Sequence, residues 1–250
     1  MSRLIAGIHA VKHALEAGEA LQEVVIEKGK NHPRLNELIH LAKKAGIRVS
    51  FVPRPALDRL AEGAVHQGVV AKGSALKRLD FDDWLDSLDT GKAPLLLLLD
   101  QVTDPHNLGA CLRTAEAVGC AAVILPRDRS ADPDSPVVAK AACGASSRLP
   151  VLSVTNLART MRQLQEKGFW LCGLAGEEDV SIYEASLKGA IGIVMGAEGK
   201  GLRRLVREGC DQLVSIPMPG RVESLNVSVA TGIALFEAQR QRSLSGKTEA

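Results

Sequence analysis

Residues 93–126 read "APLLLLLDQVTDPHNLGACLRTAEAVGCAAVILP". Two short apolar runs flank a segment whose apolar residues recur at helical spacing. Leu108, Cys111, Leu112, Ala115 and Val118 share one face of a helix that opens at Asn107, and Gly119 stands where a left-handed C-terminal residue belongs. Arg113 and Glu116 fall on the opposite face. Strand, helix and strand in this order make the crossover unit of a parallel sheet. The two runs are continuously apolar, which implies strands buried on both faces.

Working outward, the same alternation continues to the C-terminus. Strands are expected at "LPVLSV" (149–154), "FWLCGLA" (169–175), "AIGIVMG" (190–196) and "DQLVSIP" (211–217), and helices near 135–145, 156–167, 201–208 and 225–240. The fold class is α/β with a mostly parallel sheet wrapped by helices. Toward the N-terminus, helices 7–17, 33–45 and 55–61 alternate with strands "LQEVVIEK", "IRVSFVP" and "HQGVVAK", a smaller α/β unit. The acidic stretch "GSALKRLDFDDWLDSLDTGKAP" (73–94) separates the two and holds one helix that packs through Phe81 and Trp84. The expected domains are 1–75, a linker at 76–92, and 93–250.

An apolar fraction of 46% over 250 residues suits a globular chain. The longest apolar run, Leu95 to Leu99, is too short to cross a bilayer, and the N-terminus lacks a signal-peptide core, so a soluble cytoplasmic chain with no membrane partner is expected. Five cysteines without a C-x-x-C argue against a disulfide framework or zinc ribbon and read as small buried hydrophobes. His9 and His13 lie one turn apart without the glutamate of H-E-x-x-H, so no metal is expected. The net charge of +2 is unevenly spread: residues 1–78 carry 13 Lys and Arg against 7 Asp and Glu, whereas the remainder carries 18 against 22. The first third is the better candidate for a polyanion, although a solvated basic surface has the same composition.

Three polar clusters interrupt the C-terminal alternation, each at the carboxyl end of an expected strand, where open α/β sheets bind ligands. In the first, Asn107 reads equally as a helix cap or as a functional amide, and Arg113 lies about 9 Å along the axis from it. The second, "IGIVMGAEGKGLRR", has Leu202 where a phosphate loop needs Lys followed by Ser or Thr, and it lacks G-x-G-x-x-G spacing. Its glycines at 196, 199 and 201 permit close approach of backbone to a flat ligand, or a plain turn. The third, "IPMPGRVESLNVSVAT" (216–231), gathers Arg221, Glu223, Ser224 and Asn226 before a helix of small residues.

In order and spacing, "DPHNLGACLRTAEAVG", "IVMGAEGKGL" and "IPMPGRVESLNVSVATGIALFE" resemble the three signature motifs of the SpoU group of SPOUT RNA 2′-O-ribose methyltransferases, over residues 93–240. "IAGIHAVKHALEAG" and "HQGVVA" resemble the substrate-binding domain, similar to ribosomal L30e and L7Ae proteins, that precedes the catalytic domain in members methylating a guanosine of large-subunit ribosomal RNA. The resemblance implies a C-terminal trefoil knot, a homodimer and S-adenosylmethionine as cofactor, bound by backbone of Gly196, Ile216 and Leu225. It implies Arg113 as activator of the ribose hydroxyl, with Asn107, Glu198, Ser224 and Asn226 orienting Arg113 and the ribose, and leaves Glu198 open as an alternative base. Ribosomal RNA is the expected partner, with Lys43, Lys44, Arg48 and Arg54 as phosphate contacts. A transfer RNA methylase and a noncatalytic RNA-binding assembly protein of the same fold are the alternatives.

Overall fold

A computed structural model describes residues 2–16, 21–30, 32–74, 79–222 and 224–245. Residue 17 of the first expected helix, residues 75–78 around the expected domain boundary, and Glu223 lie outside the described residues. The chain divides into two units, Met1–Arg78 with Asp132–Arg148, and Leu79–Ala131 with Leu149–Ala250.

The first unit runs β1 (Ser2–Ala6), α1 (Ile8–Glu16), β2 (Leu21–Glu27), α2 (Pro33–Lys44), β3 (Arg48–Val52), α3 (Arg54–Leu60) and β4 (Val69–Ser74). Its sheet has the order β1-β4-β2-β3, with β4 antiparallel to both neighbours and β2 parallel to β3. Alternation along the strands feeds two cores. Ile5, Val24, Ile26, Val69 and Ala71 pack with Val11, Leu35 and Leu38 of α1 and α2, while Ala6, Val25 and Val70 pack with Leu57 and Ala61 at α3. The strand β1 is not evident from the sequence pattern. It is five residues long and pairs only with β4, at the far end of the unit.

The second unit opens with α4 (Phe81–Ser87), the helix expected in the acidic stretch. Its Trp84 and Leu85 are buried in the main core, and the Phe81 and Trp84 ring centroids lie 6.2 Å apart. There follow β5 (Leu95–Leu99), α5 (Pro105–Ala117) and β6 (Ala122–Pro126). The next helix, α6 (Pro136–Ala141), belongs with the first unit, where it packs against β1; periodicity alone placed it with the second. The chain continues through β7 (Val151–Val154), α7 (Leu157–Glu166), β8 (Trp170–Leu174), β9 (Ile191–Met195), α8 (Arg204–Glu208), β10 (Gln212–Val214) and α9 (Val227–Ser245).

These strands form one sheet of order β10-β8-β9-β5-β6-β7 in which every pairing is parallel. All five residues of β5, β6 and β9 are buried, as continuous apolar runs require. The register pairs Leu99 with Met195, so the loops leaving β5 and β9 start side by side. No helix among the described residues is long and apolar enough to cross a membrane.

Candidate active site

The helix α5 begins two residues before the expected start. Asp104, not Asn107, is its cap: the Asp104 carboxylate accepts from the Asn107 amide at 2.8 Å, and Pro105 takes the first helical position. The Asn107 side chain is thereby released for other work. Its Nδ2 donates toward Glu198 Oε2 at 3.4 Å, and its Oδ1 accepts from Asn226 Nδ2 at 3.0 Å. Asn226 Nδ2 also approaches Glu198 Oε2 at 3.4 Å, so the first turn of α5, the loop after β9 and the residue before α9 each bring one side chain to one point. The other face of the Asn226 amide is fixed by α9, since its Oδ1 accepts from the Ser228 amide at 2.9 Å and the Ser228 hydroxyl at 2.6 Å.

Next to this triad lies a cavity of about 620 Å³, within the range of small-molecule sites, about 300–1,000 Å³. Gly196, Glu198, Ile216, Ser224 and Leu225 all line it. The glycine loop is a closed turn: the Ala197 amide donates to the Gly201 carbonyl at 3.1 Å and the Gly201 amide to the Ala197 carbonyl at 2.9 Å. Gly199 and Gly201 hold φ of +73° and +65°, the left-handed region. A Cβ on Gly196 would lie 2.2 Å from the Gly201 carbonyl carbon, so only glycine fits there.

Asp100, fully buried at the end of β5, grips both ends of this loop. Its amide donates to the Met195 carbonyl at 2.7 Å, while its carboxylate accepts from the Arg203 amide at 2.9 Å and Arg203 Nε at 2.7 Å. Sequence reading missed this pair, although a carboxylate directly after five leucines was the available signal. Also missed was Arg207 of α8, which is bonded to Glu177 and Glu178 at the far wall of the cavity. Hydrogen bonds from its own backbone and then from Arg207 hold the Glu177 carboxyl below the usual carboxylate range.

Arg113 lies on the exposed face of α5 and is not among the described residues lining this cavity within one chain. Lys43, Lys44, Arg48 and Arg54 are exposed on the first unit, away from any of these loops in sequence; Arg48 Nε lies 3.8 Å from Glu23. The cysteines divide. Burial pushes the Cys111 thiol up to about 11 and those of Cys120, Cys172 and Cys210 up to about 12, consistent with inert packing groups. Cys143 is exposed and departs from the buried reading, because α6 ends beside it and leaves it in a turn. No cluster of His, Cys, Asp or Glu with metal-binding geometry occurs among the described residues.

An all-parallel sheet thus carries, at its strand ends, a closed glycine turn and convergent amides beside a cavity of small-molecule size. Comparison with known proteins makes this specific. The model of the SpoU rRNA methylase family matches residues 94–236, and that of the RNA 2′-O ribose methyltransferase substrate-binding domain matches residues 4–79. The 23S rRNA (guanosine-2′-O-)-methyltransferase RlmB of Escherichia coli K12 is 54% identical over 247 residues, 97% of this chain and 100% of the relative. Among solved structures, the SpoU methyltransferase AviRb from Streptomyces viridochromogenes superposes with a TM-score of 0.81 at 24% identity, over 98% of this chain and 91% of that one, a likeness of fold. The AdoMet-bound rRNA methyltransferase from Sinorhizobium meliloti gives 0.78 at 26% identity, over 96% and 87%. The chain belongs to the SpoU rRNA methylase family.

Proposed function

We propose that this chain transfers a methyl group from S-adenosylmethionine to the ribose 2′-hydroxyl of a guanosine in 23S ribosomal RNA. The observation that carries the reading is the meeting of Asn107, Glu198 and Asn226, from three segments distant in sequence, at the rim of one cavity. Identity of 54% over 97% of this chain and the whole of an enzyme named for that reaction supports the substrate.

S-adenosylmethionine, when bound, supplies an electrophilic methyl on a sulfonium. The walls formed by Gly196, Ile216 and Leu225 fit such a group, because the closed turn brings backbone rather than side chain to the cavity. Asn107, Glu198, Ser224 and Asn226 orient the ribose, and alignment is where a displacement gains most. Arg113 stabilises the developing alkoxide as a fixed cation, since a guanidinium stays protonated in proteins. Glu198 or water is then left to take the proton.

Arg113 projects from α5, which packs along α9. On α9 the apolar side chains of Val229 and Phe236 are 52% and 56% exposed one above the other, a surface suited to a second copy of the chain. A homodimer closed there carries Arg113 toward the partner's cavity. The same reading includes a C-terminal trefoil knot, an L30e/L7Ae-like first unit, a catalytic second unit that takes in α4, RNA contacts at Lys43, Lys44, Arg48 and Arg54, and action in the cytoplasm.

The test is methyl transfer from labelled S-adenosylmethionine to 23S rRNA taken from cells lacking this activity, with the methylated ribose mapped by its resistance to alkali. One modified guanosine is expected. Arg113→Ala should slow a single turnover by about 10²–10³ while cofactor affinity stays within about twofold. Absence of label on ribosomal RNA, or label on transfer RNA instead, contradicts the proposal.

A further inference from the structure

A second cavity of about 460 Å³ adjoins the first and shares Ala197, Glu198, Lys200 and Val227 with it. Its outer wall comes from the loops after β5 and β6, which are joined by a hydrogen bond from the Ala131 amide to the Val102 carbonyl at 2.9 Å. Two non-glycine residues on that wall hold left-handed backbone, Gln101 with φ +63° and Arg129 with φ +57°. Backbone of this kind persists where the surroundings impose it and clusters at functional sites.

The side chains point the same way. Gln101 Nε2 is buried and has no hydrogen-bond partner, which in a native protein calls for an explanation. Arg129 and Lys200 bring two cations to the cavity, and neither is ion-paired among the described residues. The two carboxylates on the wall have other engagements: Asp104 caps α5 and Glu198 meets Asn107 and Asn226. The cavity is thus polarised, with cations and a spare amide on one side and the amide–carboxylate triad on the other.

We propose that this cavity seats the ribose-phosphate backbone of the acceptor RNA, an inference that rests on the function proposed above and extends it to Gln101, Arg129 and Lys200. Arg129 and Lys200 hold the phosphate oxygens flanking the target nucleotide, the first as a planar fork and the second as a point charge. The Gln101 amide donates to a backbone oxygen of the same nucleotide. The ribose then faces Asn107 and Glu198, because a phosphate beside the Glu198 carboxylate would be repelled. The second cavity in this way delivers the hydroxyl to the edge of the first.

The experiment uses the full chain and 23S rRNA, with three readouts: cofactor affinity by calorimetry, RNA affinity as a function of salt, and steady-state methyl transfer at saturating cofactor. Arg129→Gln and Lys200→Gln are expected to raise the KM for RNA roughly tenfold each, and to lower the slope of log affinity against log salt by about one. Gln101→Glu, nearly the same shape, should weaken RNA binding by setting a second negative charge against the phosphate. Cofactor affinity should match the wild type in Arg129→Gln and Gln101→Glu, whose residues do not line the first cavity, while Lys200, which lines both, is judged by RNA affinity and salt slope.

Wild-type RNA affinity and salt slope in Arg129→Gln and Lys200→Gln would overturn the proposal, as would a loss confined to cofactor binding. The two levels separate cleanly. A wild type that binds but never methylates RNA sinks the enzymatic reading, while the salt slopes still judge the subsite. A wild type that methylates, with variants indistinguishable from it, sinks the subsite alone.

Discussion

The loop after β9 and the exposed basic residues of the first unit are both polar, but they are built on opposite physical plans. The loop is fixed by excluded volume at Gly196, by left-handed backbone at Gly199 and Gly201, and by the buried Asp100, whose amide bonds to Met195 at one end and whose carboxylate bonds to Arg203 at the other. Lys43, Lys44, Arg48 and Arg54 have none of this. They are exposed, and the Arg48 side chain is 79% accessible even with Glu23 beside it. Transfer of a methyl group requires alignment, which rigid backbone supplies, whereas attraction of a polyanion requires only charge within about a Debye length, about 8 Å at physiological salt. Sensitivity to substitution should follow that division.

The largest effect is expected at Gly196. In Gly196→Ala the new Cβ meets the backbone of Gly201 at 2.2 Å, and backbone cannot yield as a flexible side chain can. Calorimetric titration with S-adenosylmethionine should show affinity reduced by roughly a hundredfold or more, since overpacking against backbone costs about 1–3 kcal/mol or more. Near-normal binding would mean that the turn is not a wall of the cofactor site.

An intermediate effect is expected at Asp100. Asp100→Asn keeps the shape but removes the charge that faces Arg203 Nε at 2.7 Å and Nη2 at 2.6 Å. The Arg203 side chain is 42% exposed, so the loss is smaller than for a pair buried on both sides. A cost of about 2 kcal/mol, or roughly 5 °C in melting temperature, is expected, together with a raised KM for the cofactor and little change in kcat. An unchanged KM would make Asp100 a stabilising residue with no part in setting the loop.

The smallest effects belong to the exposed basic residues. Single changes of Lys43, Lys44, Arg48 or Arg54 to Gln should weaken RNA binding by about two- to threefold at physiological salt, and cumulatively rather than abruptly. A tenfold loss from any one of them would show that it belongs to a shaped site and would erase the contrast with the loop.

The sequence discloses most of the second unit for a simple reason. Its strands are buried on both faces, so "LLLLL" and "IGIVM" are uninterrupted, and its helices carry apolar stripes that end at Gly119 and Gly168, whose φ of +77° and +90° match a left-handed terminus. A short edge strand such as β1, paired only with β4, has no such signature. The site residues are visible as motifs, while their contacts are not. Asn107 and Asn226 stand 119 positions apart and Asp100 and Arg203 stand 103 apart, distances over which periodicity is silent. The proline after Asp104 did mark the true cap, and giving that role to Asp104 is what frees Asn107 for the site.

The central claim is that three segments distant in sequence act as one site, and a double-mutant cycle on Asn107 and Asn226 tests it most directly. Single-turnover methyl transfer would be measured for Asn107→Ala, Asn226→Ala and the pair, at saturating cofactor. If the two amides act as a unit through their 3.0 Å hydrogen bond, the double variant will be about as slow as the slower single variant. Losses that simply multiply would contradict the account, because they would mean that the two residues serve the reaction independently.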